Sequence, residues 1–273
     1  MNNTKKKSPI SWVPTAYFAM GLPFVVLNMV TVLMFKGLEV DDKLITFWTS
    51  LILLPWTLKP LWSPFLELFR TKKFFVIVTQ LITGVTFGLV AFALNLSHFF
   101  SISIALLAIV AFSGATHDIA CDGVYMSELS NEDQAKFIGW QGAFYNIAKI
   151  LATGGLVYLA GYFIELNADA GLLTANKRAW MIILLILSVT MILLGIYHLF
   201  ALPSTQSASS KKTLRSNKEV MKELGQVLMD FFRKTHITYY ICFIILYRFA
   251  EGFVMKIVPL FLKADREMGG LGL

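Results

Sequence analysis

Residues 99–123 read FFSISIALLAIVAFSGATHDIACDG. The run is long enough to cross a bilayer, since about 20 apolar residues rising 1.5 Å each cover ~30 Å of hydrocarbon. Its last third nonetheless carries two carboxyl groups, Asp118 and Asp122, spaced i and i+4 and so on nearly one helix face. An ionisable side chain at mid-membrane costs ~2.5–3.5 kcal/mol on insertion scales, so such residues face a protein interior or a water-filled path. A single anchor has no interior to offer. The stretch predicts a polytopic, all-α membrane protein.

The remaining sequence has the same character. Of 273 residues, 56% are hydrophobic and 15% charged, with a mean hydropathy of +0.66; a soluble domain carries about a quarter charged residues. Seven apolar runs, roughly 12–35, 44–68, 74–96, 99–123, 138–164, 179–202 and 237–262, are each long enough to span. Lys59, Lys149, Arg248, Glu251 and Lys256 are stranded inside them, as the two aspartates are. Lys5-Lys6-Lys7 ahead of an apolar stretch imitates a secretion signal, but that stretch runs from Trp12 to about Phe35. This exceeds a cleavable core and reads as a retained first span.

Cations in the connections set the orientation. Lys5, Lys6, Lys7, Arg70, Lys72, Lys73, Lys136 and the run from Lys211 to Lys234 fall on one side, against Lys36, Lys43, Lys177, Arg178, Lys263 and Arg266 on the other. The N-terminus is expected in the cytoplasm. The net charge of +7 is dispersed at the ends of apolar runs, so it reports orientation and not a nucleic-acid surface. Trp12, Trp48, Trp140 and Trp180 lie near span starts, where indole rings favour the interface. Trp56 and Trp62 lie deeper and are expected to point their N–H groups into the bundle.

The one long hydrophilic segment divides the chain. Residues 1–202 form a six-helix bundle, 203–236 a basic cytoplasmic linker opening on Ser/Thr/Gln, and 237–273 the first helix of an incomplete second bundle. No GxGxxG, Walker A, HExxH or GxSxG motif occurs, and His98, His117, His198 and His236 are scattered without partners. Cys121 and Cys242 lie in spans, without the spacing of a metal or disulfide framework. No enzyme, cofactor or metal is expected.

Two stretches go beyond hydropathy. In the second run, Leu54-Pro55-Trp56-Thr57-Leu58-Lys59-Pro60-Leu61-Trp62-Ser63-Pro64 combines three prolines with a buried lysine. Each proline removes a backbone donor, a break tolerated in lipid only where protein or water satisfies the freed carbonyls. The other is Ser113 to Gly123. Together they resemble the AmpG-like permeases, in the peptide/acetyl-coenzyme A transporter branch of the major facilitator superfamily. The likeness extends to Gly21-Leu22-Pro23 in the first run, Leu246-Tyr247-Arg248 with Glu251 in the seventh, and the glycine-rich Gly269 to Leu273. It departs at His117, where the family has glutamine, and at Glu67, where aspartate is usual, and Lys149 falls at no securely matched position.

The resemblance implies a fold and a function. The first six helices should form two inverted three-helix repeats, and the seventh should begin a second half whose remaining helices are expected in a full-length protein of twelve or more. The implied activity is proton-coupled import of a muropeptide-like, cell-wall-derived solute across the bacterial inner membrane. Partners would be the bilayer, protons and an anionic or glycopeptide substrate. Two alternatives stand beside it: transport of another anionic solute, such as an acyl-coenzyme A or sugar acid, and an inactive fragment of such a transporter.

Counting 1.5 Å per residue from the far ends of their runs puts Lys59 ~22 Å and Asp118 ~28 Å deep, within pairing reach. Asp118 and Asp122 are candidates for proton coupling, or for a structural ion pair and a helix cap. Lys59, Lys149 and Arg248 would hold an anionic substrate or neutralise the buried acids. Arg248 and Glu251, one turn apart, are expected to pair, and Lys256 to snorkel outward. Glu67, Arg70, Lys72 and Lys73 form either a gating loop of the superfamily's kind or a plain positive-inside loop.

Overall fold

A computed structural model describes residues 7–63, 66, 71–203, 226, 229–230, 232–264 and 266–268. The described residues are helical and include no strand. Six helices are long and apolar enough to cross a membrane: α1 (Pro9–Gly37), α2 (Asp42–Leu61), α3 (Lys72–Ala93), α4 (Phe99–Glu128), α5 (Asn131–Leu166) and α6 (Leu172–Ala201). They lie in one compact unit, residues 1–205, while a second unit, 206–273, contains α7 (Ile237–Lys263). The chain is a multi-pass helical membrane protein.

Local chemistry moves several boundaries from where hydropathy put them. α4 continues past 123 to Glu128, and α5 begins at Asn131 and not at 138. The junction is set by a cap: the Ser130 hydroxyl accepts from Asp133 N at 3.1 Å, satisfying one of the free amides of the first turn. Hydropathy cannot see that turn, because Asn131, Glu132, Asp133 and Gln134 are polar. α6 likewise begins at Leu172, before the expected 179. α2 is broken as its prolines require. It is α-helical over Asp42–Leu51, turns, resumes over Leu54–Leu58, and tightens to a 3₁₀ turn over Lys59–Leu61, with Pro55 and Pro60 in the first positions of the last two pieces.

Two helices contain a widened turn. In α1, Pro23 withholds an amide and the ladder passes into a π-helical stretch at Val26–Val30; in α5 the same occurs at Leu151–Leu156, which contains Gly154 and Gly155. The two stretches pack against each other. Just below, α1 crosses α5 so closely that a Cβ on Gly21 would meet the Tyr145 carbonyl at 2.8 Å.

The core is built around α3, which packs against both α4 and α6. Lipid tails are as apolar as leucine, so helices here associate through close backbone approach and interhelical hydrogen bonds. Both are present. A Cβ on Gly84 would lie 2.7 Å from Ile192 Cγ1 and 2.9 Å from the Ser188 carbonyl. Between α3 and α4, Ser113 donates to the Thr79 carbonyl at 2.8 Å, and Thr83 to Ser113 at 3.1 Å. Lys7 and Lys73 each donate to a carbonyl at the end of α6, Phe200 O and Leu202 O, both at 2.8 Å; cations favour a helix C-terminus.

The tryptophans differ in their packing. Trp48 and Trp140 are exposed, whereas Trp12 and Trp180 are 1% and 3% exposed, packed among neighbouring helices. Trp12 lies edge-on to Tyr125, ring centroids 6.5 Å apart, in a cluster with Val13, Tyr17, Val124 and Leu129. The extra turn of α4 makes that cluster possible.

Candidate functional site

The two motifs meet in space. Trp56 and Lys59 lie one turn apart on α2, and both reach a single oxygen of Asp118 on α4: Lys59 Nζ donates to Oδ2 at 2.7 Å and Trp56 Nε1 to the same atom at 2.9 Å. Room for the indole comes from Gly114, one turn before Asp118, where a Cβ would meet Trp56 Cζ2 at 2.8 Å. The other oxygen, Oδ1, is buried with no partner among the described residues. The Asp118 side chain is 9% exposed and that of Lys59 27%. One buried carboxylate thus faces a cation it can be paired with, and keeps an oxygen in reserve.

Asp122, one turn on, belongs to a second cluster. The Tyr17 hydroxyl of α1 donates to its Oδ1 at 2.8 Å, and Gln141 of α5 donates to that hydroxyl at 2.8 Å. Unlike Asp118, Asp122 is exposed at the bundle surface. Beside it, Lys72 lies across Gly123, where a Cβ would come within 2.6 Å of its Cδ. The start of α3 is therefore in contact with the acidic end of α4. Lys73 holds the end of α6, which is a structural task.

Lys149 sits on α5 directly before the widened turn, half-buried, with no ion-pair partner among the described residues. It neutralises neither aspartate, because Asp118 is engaged from α2 and Asp122 from α1. On its helix Asn146 is exposed, and Thr153 donates back to the Lys149 carbonyl. Arg248, Glu251 and Lys256 lie on α7; their side chains are outside the described residues, as are Glu67 and Arg70 entirely. An apolar groove of about 530 Å³ between α2 and α4, lined by Trp48, Pro55, Phe100 and Ile104 among others, has no ionisable side chain.

The histidines are a correction. His117 and His198 are not without partners; they share one. Gln80 of α3, fully buried, lies 2.9 Å from His117 Nε2 through its Nε2 and 2.9 Å from His198 Nδ1 through its Oε1. Thr15 of α1 is 2.9 Å from His198 Nε2. The signal available beforehand was a glutamine at the seventh position of an apolar run, where a polar amide must find partners. It did not say which.

No protein-family model and no curated protein sequence matches this chain. The likeness to AmpG-like permeases is carried by the quoted motifs.

Proposed function

We propose that this chain belongs to a proton-coupled secondary transporter, with its N-terminus in the cytoplasm, that imports an anionic, muropeptide-like solute across a bacterial inner membrane. The observation carrying this reading is the Lys59–Asp118 pair. A carboxylate and an ammonium 2.7 Å apart between two membrane-length helices form a contact that protonation of Asp118 dissolves. The α2 segment that supplies Lys59 is held to the rest of its helix by two proline-containing turns, so it can shift without unwinding a continuous helix. Loading a proton and moving α2 are then one event.

The packing pattern supports the repeat architecture. Exchanging α1 with α4, α2 with α5 and α3 with α6 converts the α1–α5 contact into α4–α2 and the α3–α4 contact into α6–α1. It leaves α1–α4 and α3–α6 unchanged, and these six contacts are present, whereas the α1–α2 and α5–α6 contacts have no α4–α5 and α2–α3 counterparts of like extent among the described residues. Two inverted three-helix repeats have this symmetry. The substrate class rests on the motif resemblance, with Lys149 as the cation on hand for an anion.

The test is uptake into vesicles containing the protein. Asp118→Asn should abolish accumulation driven by a pH gradient while downhill exchange of labelled muropeptide persists. Normal gradient-driven uptake by that variant would exclude Asp118 as the coupling group. Competition by an acyl-coenzyme A or a sugar acid, with none by muropeptide, would select the other anionic substrates.

A further inference from the structure

Beyond the aspartates, the bundle contains a second titratable assembly, in which α1, α3, α4 and α6 each contribute one member. Its order is Thr15, His198, Gln80, His117, with 2.9 Å at every link. Gln80 and His198 are 0% exposed and His117 3%. We propose that this assembly is a proton-binding site that holds one proton shared between two imidazoles, and never two.

The limit follows from donor and acceptor counting. A glutamine amide has one acceptor end and one donor end. With Oε1 toward His198, that ring donates from Nδ1, and the amide donates to a bare His117 Nε2. Both rings are then neutral, each with its proton on Nδ1, while His198 Nε2 accepts from the Thr15 hydroxyl. An added proton binds at His198 Nε2, which becomes a donor to Thr15; the Thr15 hydroxyl turns to the Trp12 carbonyl, 3.2 Å away. Nothing else moves. For His117 to carry the charge instead, the amide turns over. Oε1 accepts from His117 Nε2–H, the amide donates to a bare His198 Nδ1, and His198 keeps its single proton on Nε2. The two arrangements contain the same three imidazole protons. Charging both rings directs two N–H groups at one amide, leaving a donor opposed to a donor in a dry interior, where an unmade hydrogen bond costs most.

The arrangement also ranks the two positions. A charge on His198 meets an acceptor at each nitrogen, Thr15 and Gln80. On His117 it would leave Nδ1–H without one, since that atom is buried and has no partner among the described residues. The proton therefore rests on His198. Several other ionisable groups on the packed helices are engaged elsewhere: Asp118 with Lys59 and Trp56, Asp122 with Tyr17, Lys73 and Lys7 with the end of α6, and the Tyr197 hydroxyl with Ser11 O. Lys149 on α5 brings a further charge without an ion-pair partner among the described residues, and as a cation it also opposes double charging. Thr15 is half-buried, which gives the site an opening at the end of the bundle where α1 begins.

The inference stands independently of transport, and so does its test. Imidazole-¹⁵N-labelled protein in liposomes is titrated by solid-state NMR from about pH 8 to about pH 4, across the ordinary histidine range. A His98→Asn, His236→Asn background removes the other two rings; asparagine suits the left-handed backbone at His236, where φ is 62°. The parent should take up one proton on the pair, first seen on His198. His117→Gln and His198→Gln should also take up one each. Gln80→Glu, isosteric but with an acceptor for either ring, should take up two. Two protons on the parent, or none, overturns the proposal. If Gln80→Glu does not fold, the comparison of the parent with the two single histidine variants decides alone, because independent rings give twice the uptake of either.

Discussion

Helices α1 and α3 bury 72% and 61% of their apolar windows within the bundle, whereas α2 and α5 bury 17% each. The less buried pair is also the less apolar. If lipid surrounded α2 and α5, the order would be reversed, since a lipid-bathed helix has most reason to be uniformly apolar. Among exposed apolar side chains such as Phe47 and Leu61 on α2 and Ile138 and Ile150 on α5, their outward faces also carry Ser50 and Thr57, and Asn146 with the half-buried Lys149. The polar positions on these faces suit a neighbour other than lipid: water, a solute or protein. Buried helices hold the structure, and peripheral ones carry polarity outward. The Lys59–Asp118 pair joins the two classes, since its lysine is on α2 and its aspartate on α4.

The largest expected effect is at that junction. Asp118→Leu leaves the Lys59 ammonium facing the vacated site, and Lys59→Met leaves the carboxylate with the Trp56 N–H but no countercharge. Breaking one side of a buried pair costs about 3–5 kcal/mol, and the partial exposure of Lys59 puts the value near ~3 kcal/mol. The double variant should recover most of the loss, as an apolar replacement of the whole pair is near neutral. Denaturant unfolding in mixed micelles reads all three. Additive losses would mean that the pair contributes nothing as a pair, and that α2 is held by other contacts.

Next comes a contrast between glycines. Gly84→Val drives a side chain into α6, whose backbone carbonyl at Ser188 cannot move aside; overpacking of this kind costs about 1–3 kcal/mol. Gly142 on α5 has nothing within 4 Å of an added Cβ. Gly142→Ala should be neutral, or stabilising by up to ~1 kcal/mol through helix propensity alone. Unfolding midpoints of the two variants measure the difference directly. Equal losses would show that the α5 face is as tightly engaged as the α3–α6 crossing.

How far all this was legible beforehand depended on how local each signal was. Hydropathy located every span, because a run such as Phe99 to Gly123 needs no partner to be recognised. Residue counting brought Lys59 and Asp118 within reach of each other, and the two side chains pair. What was missed was governed by neighbours. The start of α5 depends on a Ser130 cap and a polar first turn that look like a loop to a hydropathy window. Trp12 is buried because α4 runs five residues beyond its expected end and brings Tyr125 to it. His117 and His198 are far apart in the chain, and only the convergence of α3, α4 and α6 places Gln80 between them. Lys72 was grouped with a gating loop by composition; its stem lies across Gly123, a contact that residue type does not encode.

The smallest expected effect on stability is the one that most sharpens the contrast between helices. Lys149 has no ion-pair partner among the described residues and is half-buried on α5. Lys149→Met removes a charge that neutralises nothing, keeps the length of the aliphatic stem, and makes α5 more apolar. The unfolding free energy should therefore stay within ~0.5 kcal/mol of the parent, the range of substitutions away from packed or paired positions. A structural lysine would behave otherwise: removing it would strand an acid and cost several times more, as at Lys59. If the outward face of α5 meets an anionic solute, the same variant should weaken that solute's binding by about tenfold, since a charge-assisted hydrogen bond contributes ~1.5–3 kcal/mol. Lys149→Arg, which keeps the charge, should restore much of it. A stability loss near that of Lys59→Met would place Lys149 among the structural cations and remove it as the anion's partner.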